Sequence, residues 1–255
     1  MMTLRAPWSA HRLFSVGCSD VEGNLMQIEN AVALVTGANR GIGEQFAHEL
    51  LARGARKVYA AARDISRGSV PGTVPLALDI CDAGSVAAAA AAAPDVTLII
   101  NNAGVAHAQN LVDGDLDRIR AEIDTNLFGT LSMVRAFGPV LVANGGGAIL
   151  NVLSAASWFT YPGSGSYAVS KAAAWSLTNG IRLELEPHGT QVVGAHVGMV
   201  DTDMSAAVDL EKMDPAEFVR IALDGLERGD IEVVADDMSR AAKSSVALAT
   251  GALRV

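Results

Sequence analysis

Apolar runs of strand length alternate with stretches of helical periodicity along nearly the whole chain, and few folds accept that order. The runs fall at residues 31–35, 58–62, 74–78, 96–100, 149–153, 192–196 and 231–235. Between them, residues 43–53, 83–93, 115–142, 167–186 and 215–227 read as helices. In the first of these Phe46, Ala47, Leu50 and Leu51 follow helical spacing, and Gly54 marks the stop. Strands with so little polar alternation are covered on both faces. The pattern predicts an α/β protein, a doubly wound parallel sheet of about seven strands with helices on both faces. No linker or internal repeat divides residues 28–255, which read as one domain behind an N-terminal extension, 1–27, expected to be a loose arm.

Composition removes several classes of function. Half of the 255 residues are apolar but only 5% are aromatic, which suits helices packed closely on a sheet through alanine and glycine. A formal charge of −9, with scattered arginines, speaks against a nucleic-acid surface. No apolar run reaches the roughly 18 residues of a membrane span, and the alanine-rich stretch 87–93 ends at Pro94. Cys18 and Cys81 supply neither a disulfide framework nor a metal-ligand cluster, so a cytoplasmic, metal-free protein is expected. Residues 1–24 include Arg5, His11 and Arg12 but no continuous apolar stretch of a secretory signal, and Met26 is an alternative start.

Thr36-Gly37-Ala38-Asn39-Arg40-Gly41-Ile42-Gly43 stands where the first strand turns into the first helix. Glycine at 37 and 41 lets backbone approach a pyrophosphate. Gly43 lets helix and strand come close, and the helix start offers N–H groups to an anion. A lone glycine-rich run is equally a tight turn. At a strand–turn–helix junction it reads as the dinucleotide site of a Rossmann fold, formed by Gly37, Asn39, Arg40, Gly41, Ile42 and Gly43. An NAD site usually has an acid at the end of the second strand for the ribose 2′-hydroxyl, whereas this strand ends in Ala62 followed by Arg63. Arg40 and Arg63 could clamp a 2′-phosphate, so NADP(H) is expected over NAD(H); Asp64 keeps NAD(H) open as the alternative. Asp79 and Ile80, after the third strand, fall where an adenine would sit, and Asp79 is equally a loop cap. Asn101-Asn102-Ala103-Gly104 follows the fourth strand at the carboxyl edge, where such sheets bind ligands.

Further on, Ser154 follows the fifth strand, and Tyr167 and Lys171 lie four apart on a helix, hence on one face. A free tyrosine has a pKa of about 10; a neighbouring ammonium and an oxidised nicotinamide are expected to lower it. In a reduction Tyr167 would donate a proton to a carbonyl oxygen, Ser154 would hold that oxygen, and Lys171 would also bind the nicotinamide ribose. Singly, the pair is a surface contact and the serine a turn residue. Their joint occurrence behind a nucleotide-binding turn points to catalysis.

Taken in order, T-G-x-x-x-G-I-G at 36–43, N-N-A-G at 101–104, Asn126 in N-L-F-G, Ser154, Y-A-V-S-K at 167–171 and T-D at 202–203 resemble the classical short-chain dehydrogenase/reductase family from about residue 28 onward. The resemblance implies a fourth catalytic position at Asn126, supporting a water that relays protons from Lys171. It implies cofactor contacts at Asn102, Ala103, Gly104, Val200 and Thr202, and a homodimer or homotetramer built on the helices at 115–142 and 167–186. One departure stands out: Val197-Gly198 replaces the family's usual Pro-Gly. Without the locked φ of proline, the backbone beside the nicotinamide is expected to be less constrained.

Trp158, Phe159 and Tyr161 lie between Ser154 and Tyr167 and are expected to wall the substrate pocket, although Trp158 and Phe159 could pack in the subunit core instead. Residues 201–213 form a short lid with Met204, Ala206, Ala207, Val208 and Leu210, and His107 is a wall or a solvated residue. Such a pocket suits a small ketone, aldehyde or secondary alcohol. The expected function is NADP(H)-dependent interconversion of a carbonyl and its alcohol. The alternatives are an NAD-dependent secondary alcohol dehydrogenase and a non-catalytic cofactor sensor, the latter disfavoured by the presence of Tyr167 and Lys171. Only about 60 residues follow the sixth strand, which argues against an epimerase or dehydratase with a larger substrate domain.

Overall fold

The computed structural model describes residues 25–67 and 70–251. Residues 1–24, most of the extension read as an arm, lie outside them, as does Cys18. From residue 25 the chain is laid against the domain: the Met26 N–H donates to Gln191 Oε1 at 3.4 Å, and the Met26 side chain packs on the core.

Seven parallel strands form one sheet: β1 (Val32–Thr36), β2 (Lys57–Ala62), β3 (Val74–Ala77), β4 (Leu98–Asn101), β5 (Gly147–Val152), β6 (Thr190–His196) and β7 (Glu232–Val234), in the order β3-β2-β1-β4-β5-β6-β7. Leu34 of β1 pairs with Tyr59 of β2 on one side and with Ile99 of β4 on the other. Strand order reverses there, so the loops leaving β1 and β4 part at their carboxyl ends and open a crevice. β3 is an exposed edge, which is why it tolerates Pro75 and its missing N–H.

Helices cover both faces. α1 (Gly41–Ala52) and α6 (Pro215–Arg228) pack on one, where Phe46 meets Phe218 edge-on with ring centroids 6.2 Å apart. α2 (Ala83–Ala92), α4 (Thr130–Ala143) and α5 (Gly165–Leu185) cover the other, burying Met133, Phe137 and Leu141 against Ile99 and Ile149. Burying an aliphatic or aromatic side chain of this size contributes about 1.5–3 kcal/mol, so these two layers are the main source of stability.

Two features depart from the sequence reading. The helix expected at 115–142 is three pieces: α3 (Leu116–Ile123), a π-helical turn at Asp124–Gly129, and α4. The run Leu116–Ala143 is long and apolar enough to cross a bilayer, yet α4 lies flat on the sheet. A further helix, α7 (Asp237–Gly251), follows β7 and packs over the short turn Ala155–Ser157. It begins at Asp236, whose Oδ1 accepts the Ser239 N–H at 2.8 Å.

Candidate active site

The glycine-rich turn leaves β1 at the reversal point. Gly37 has φ +66, open to glycine at little cost, and a Cβ there would lie 3.1 Å from the Ala103 Cα. A Cβ on Gly43 would fall 2.2 Å from the Gly37 carbonyl oxygen and 2.5 Å from Asn102 Nδ2, so nothing larger fits between helix and turn. The turn is tied to the loop after β4 by Thr36, whose Oγ1 accepts the N–H groups of Asn102 and Ala103, both at 3.0 Å, while Asn102 Nδ2 donates to the Thr36 carbonyl at 3.0 Å. α1 begins after Arg40, which supplies no side-chain cap. The first N–H groups of a helix have no intrahelical partner, so this uncapped start beside Gly37, Asn39, Gly41 and Ile42 is a cradle for an anion.

Arg40 turns outward to Asp203, with its Nη1 3.1 Å from Asp203 Oδ2, and both side chains are exposed. This exposed pair links the nucleotide turn to the lid segment. Arg63 is exposed just past β2, and Asp64 accepts from the N–H and Oγ of Ser66 at 3.0 and 2.6 Å, an Asx turn of its own loop. Asp79 Oδ1 accepts the Cys81 N–H at 2.9 Å. Ile80 is buried, with its side chain against Gly129, which leaves its backbone as the part that could meet an adenine. Val200 pairs with Met213 across the base of the lid, and Thr202 caps the turn Asp203–Ser205.

Ser154, Tyr167 and Lys171 converge at the carboxyl end of β5. Ser154 Oγ accepts the Ala156 N–H at 3.1 Å, and its hydroxyl faces the Tyr167 phenol. Lys171 is buried; its Nζ donates to the Val152 carbonyl at 3.0 Å and stands 5.8 Å from the centre of the Tyr167 ring. α5, which carries both, is fastened to the sheet by a buried amide chain: Asn101 Nδ2 donates to Asn151 Oδ1 and Asn151 Nδ2 to Thr178 Oγ1, both at 2.9 Å. Desolvation pushes the Tyr167 phenol up to about 12, against the pull of Ser154, with Glu122 and Tyr161 adding to the rise. Desolvation likewise pulls Lys171 down to about 8, and Glu122 opposes it. In the chain's own atoms burial outweighs the pull of Ser154, so the phenol is raised before a nicotinamide adds its charge, where the sequence led to the expectation of a lowered tyrosine. At neutral pH the phenol holds its proton and can donate it.

Asn126 sits on the π turn and clamps the loop after Gly104. Its Nδ2 donates to the Val105 carbonyl and to Ser170 Oγ, and its Oδ1 accepts the Val105 N–H, all at 2.9 Å. One turn earlier Glu122, also fully buried, accepts the His107 N–H at 2.8 Å and a hydrogen bond from Ser166 Oγ. Glu122 escaped the sequence reading, although its place four residues before Asn126 put it on the same face.

The aromatic segment divides. Trp158 stacks on the buried His196 at 3.9 Å and 14°, meets Trp175 edge-on at 6.1 Å and lies under Lys243. Its ring is thus engaged in packing, the alternative that the sequence leaves open beside a pocket wall. Phe159 and Tyr161 pair at 6.1 Å on the outer part of the segment, and the field of Tyr161 reaches Tyr167. His196 Nδ1 lies 3.1 Å from the Ser154 carbonyl and Nε2 3.4 Å from Glu232 Oε1, which also accepts Trp175 Nε1 at 2.9 Å, while Lys243 pairs with Oε2. Val197-Gly198 is not loose either. The Ala155 N–H donates to the Val197 carbonyl at 2.9 Å, and the Gly198 N–H donates to Asp236 Oδ2 at 2.7 Å.

A doubly wound sheet with an uncapped helix start at its reversal point and a serine, tyrosine and lysine beside it defines a dinucleotide-binding α/β fold of the dehydrogenase kind. The chain belongs to the short chain dehydrogenase family, whose sequence pattern matches residues 31–212. It is 30% identical over 227 residues to an uncharacterized oxidoreductase of Staphylococcus saprophyticus, spanning 80% of this chain and 94% of that one. It is 28% identical over 242 residues to the NADP-dependent 3-hydroxy acid dehydrogenase of Schizosaccharomyces pombe, spanning 84% and 93%. A short chain dehydrogenase from Burkholderia cenocepacia, solved in complex with NADP, superposes with a TM-score of 0.85 at 44% identity, covering 89% of this chain and 97% of that one.

Proposed function

We propose that this oxidoreductase interconverts a small ketone or aldehyde and its alcohol with NADP(H), using Tyr167 as acid and base. The observation that carries the reading is the half-buried Tyr167 phenol facing Ser154, with the Lys171 ammonium near its ring. When bound, the reduced cofactor supplies hydride to the carbonyl carbon. Ser154 Oγ, its orientation fixed by the Ala156 N–H, holds the carbonyl oxygen as charge develops on it. Tyr167 gives that oxygen a proton, and Lys171 offsets the charge left on the phenolate. In the opposite direction the same groups act in reverse. Asn126 keeps Val105 and Ser170 in place and serves as the fourth member of the site.

Gly37, Asn39, Gly41, Ile42 and Gly43 would hold the pyrophosphate, Asn102, Ala103 and Gly104 the nicotinamide ribose with Tyr167 and Lys171, and Val200 and Thr202 the nicotinamide side. Exposed Arg40 and Arg63 favour a 2′-phosphate, and Asp64 is engaged with Ser66. The Burkholderia structure carries NADP and the yeast relative is named for it, which supports the same choice. Phe159 and Tyr161, with Met204 and Leu210 on the lid, would line the substrate side. Exposed apolar side chains on the helices at 115–142 and 167–186, among them Phe128, Val142, Val169 and Leu183, support a homodimer or homotetramer formed through those helices. The exposed free thiol of Cys81 suits the cytoplasm.

The test is fluorescence titration with NADPH and NADH, followed by loss of NADPH absorbance on a panel of ketones and aldehydes. The reading expects tighter NADPH binding, weakened in Arg40→Ala and Arg63→Ala, and turnover lost in Tyr167→Phe with binding retained. Turnover surviving in Tyr167→Phe would refute the mechanism, and a preference for NADH would return the ribose contact to Asp64. Binding without turnover in either direction would favour the sensor.

A further inference from the structure

We infer that Glu122 is a positioning residue of this site: its buried carboxylate locks the loop after β4 to the start of α5 and provides the counter-charge for Lys171. The role rests on the reading of Tyr167 and Lys171 as the reacting pair.

The geometry is specific. Glu122 is completely removed from solvent, which is costly for a carboxylate unless it is well hydrogen-bonded or paired. One oxygen accepts the N–H of His107 at 2.8 Å and of Ala108 at 3.4 Å. The other accepts the hydroxyl of Ser166, the residue before Tyr167. Ser166 Oγ in turn accepts the Gln109 N–H at 2.8 Å, and the Ser166 N–H donates to the Gln109 carbonyl at 3.0 Å. Three consecutive residues of the loop, 107–109, are therefore tied to the first turn of α5 through one carboxylate and one serine. Ala108 has φ +51, a backbone that alanine seldom adopts, and the grip of Glu122 on its N–H helps to hold it.

The charge matters as well as the contacts. Among the described residues Lys171 makes no ion pair; its ammonium donates to the carbonyl of Val152, and Glu122 is the acid whose field reaches it. The titratable groups around Glu122 are Tyr167 and Lys171 on α5, Tyr161 in the segment before that helix, and His107 in the loop it grips. A neutral residue at 122 would keep much of the clamp and lose the counter-charge.

The chain has four lysines, Lys57, Lys171, Lys212 and Lys243, so lysine labelled with carbon-13 at Cε gives a spectrum in which Lys171 is assigned by its loss in Lys171→Arg. The wild-type Lys171 signal is expected to titrate near pH 8. In Glu122→Gln its midpoint should fall by roughly one pH unit. Ser166→Ala, which loosens the clamp but keeps the charge, should leave the midpoint where it was. An unchanged midpoint in folded Glu122→Gln overturns the proposal, as does an equal fall in Ser166→Ala, which would trace the shift to loop repacking. Should Glu122→Gln not fold, Glu122→Asp carries the test: drawing the carboxylate back by one methylene lowers the midpoint by a smaller step, and no change overturns the proposal. The measurement needs neither substrate nor turnover, so a chain inactive on every carbonyl would refute the proposed function and leave this result standing.

Discussion

Neutralising Glu232 should destabilise the protein in a pH-dependent way. Burial alone would raise this carboxyl, but the imidazole of His196, the ammonium of Lys243 and the indole N–H of Trp175 overcome it and hold the group down at about 2, from an ordinary 4.5. At about 1.36 kcal/mol per pKa unit, that shift is worth about 3 kcal/mol when the group is ionised in both states. Glu232 is only 15% exposed, but Lys243 is half exposed, so screening trims the figure towards about 2 kcal/mol. The folded value is depressed, so the stabilisation is complete above the unfolded pKa and is lost as pH falls from 4.5 towards 2. Urea unfolding of wild type and Glu232→Gln should therefore differ by about 2–3 kcal/mol at pH 7, and the gap should shrink by roughly a third to a half near pH 3.5. A gap that stays constant between those pH values would refute the electrostatic account and leave only lost packing.

Three other perturbations have expected outcomes. Gly43→Ala drives a methyl to 2.2 Å from the Gly37 carbonyl oxygen; overpacking of about 1–3 kcal/mol should weaken NADPH binding by roughly 5- to 150-fold, read by fluorescence titration. Asp236→Ala strips the acceptor from the N–H groups of Gly198 and Ser239, and a loss of about 1–3 kcal/mol should appear as a lower Tm. Asn126→Ala frees the Val105 N–H and carbonyl together; hydrogen exchange at Val105 should rise sharply, with turnover falling alongside it.

Much of this architecture could be read from period and punctuation. The β1 strand followed by Gly37, Gly41 and Gly43 marked the reversal point, and four-residue spacing put Tyr167 and Lys171 on one face. What escaped depended on contacts between distant segments. Trp158 and His196 stack across 38 residues of chain, which no local pattern encodes, so whether Trp158 faced ligand or scaffold stayed open. Gly198 and Asp236 are equally separated, so the carboxylate that holds the N–H beside Val197 is not visible in the motif alone. α7 was overlooked because its alanines and serines carry a weak apolar stripe; Asp236 three residues before Ser239 was the available signal. Glu122 was legible in principle, once the buried face of α3 had been drawn through Asn126.

The π turn at Asp124–Gly129 means that this stretch must keep its length. Each residue of a regular α-helix turns the chain by about 100°, and a π turn accommodates one extra residue within the helix. Deleting Thr125 would let the turn relax into ordinary helix, with α3 and α4 still in phase but the wide turn that presents Asn126 gone. Asn126 would leave Val105 and Ser170 while Phe137 and Leu141 stayed seated on the sheet. Such a protein should still fold and lose its site, whereas an extra residue at 211 or 212, in the loop that the Val200–Met213 bridge closes, should leave the site assembled. This chain must count residues here even where its lid need not.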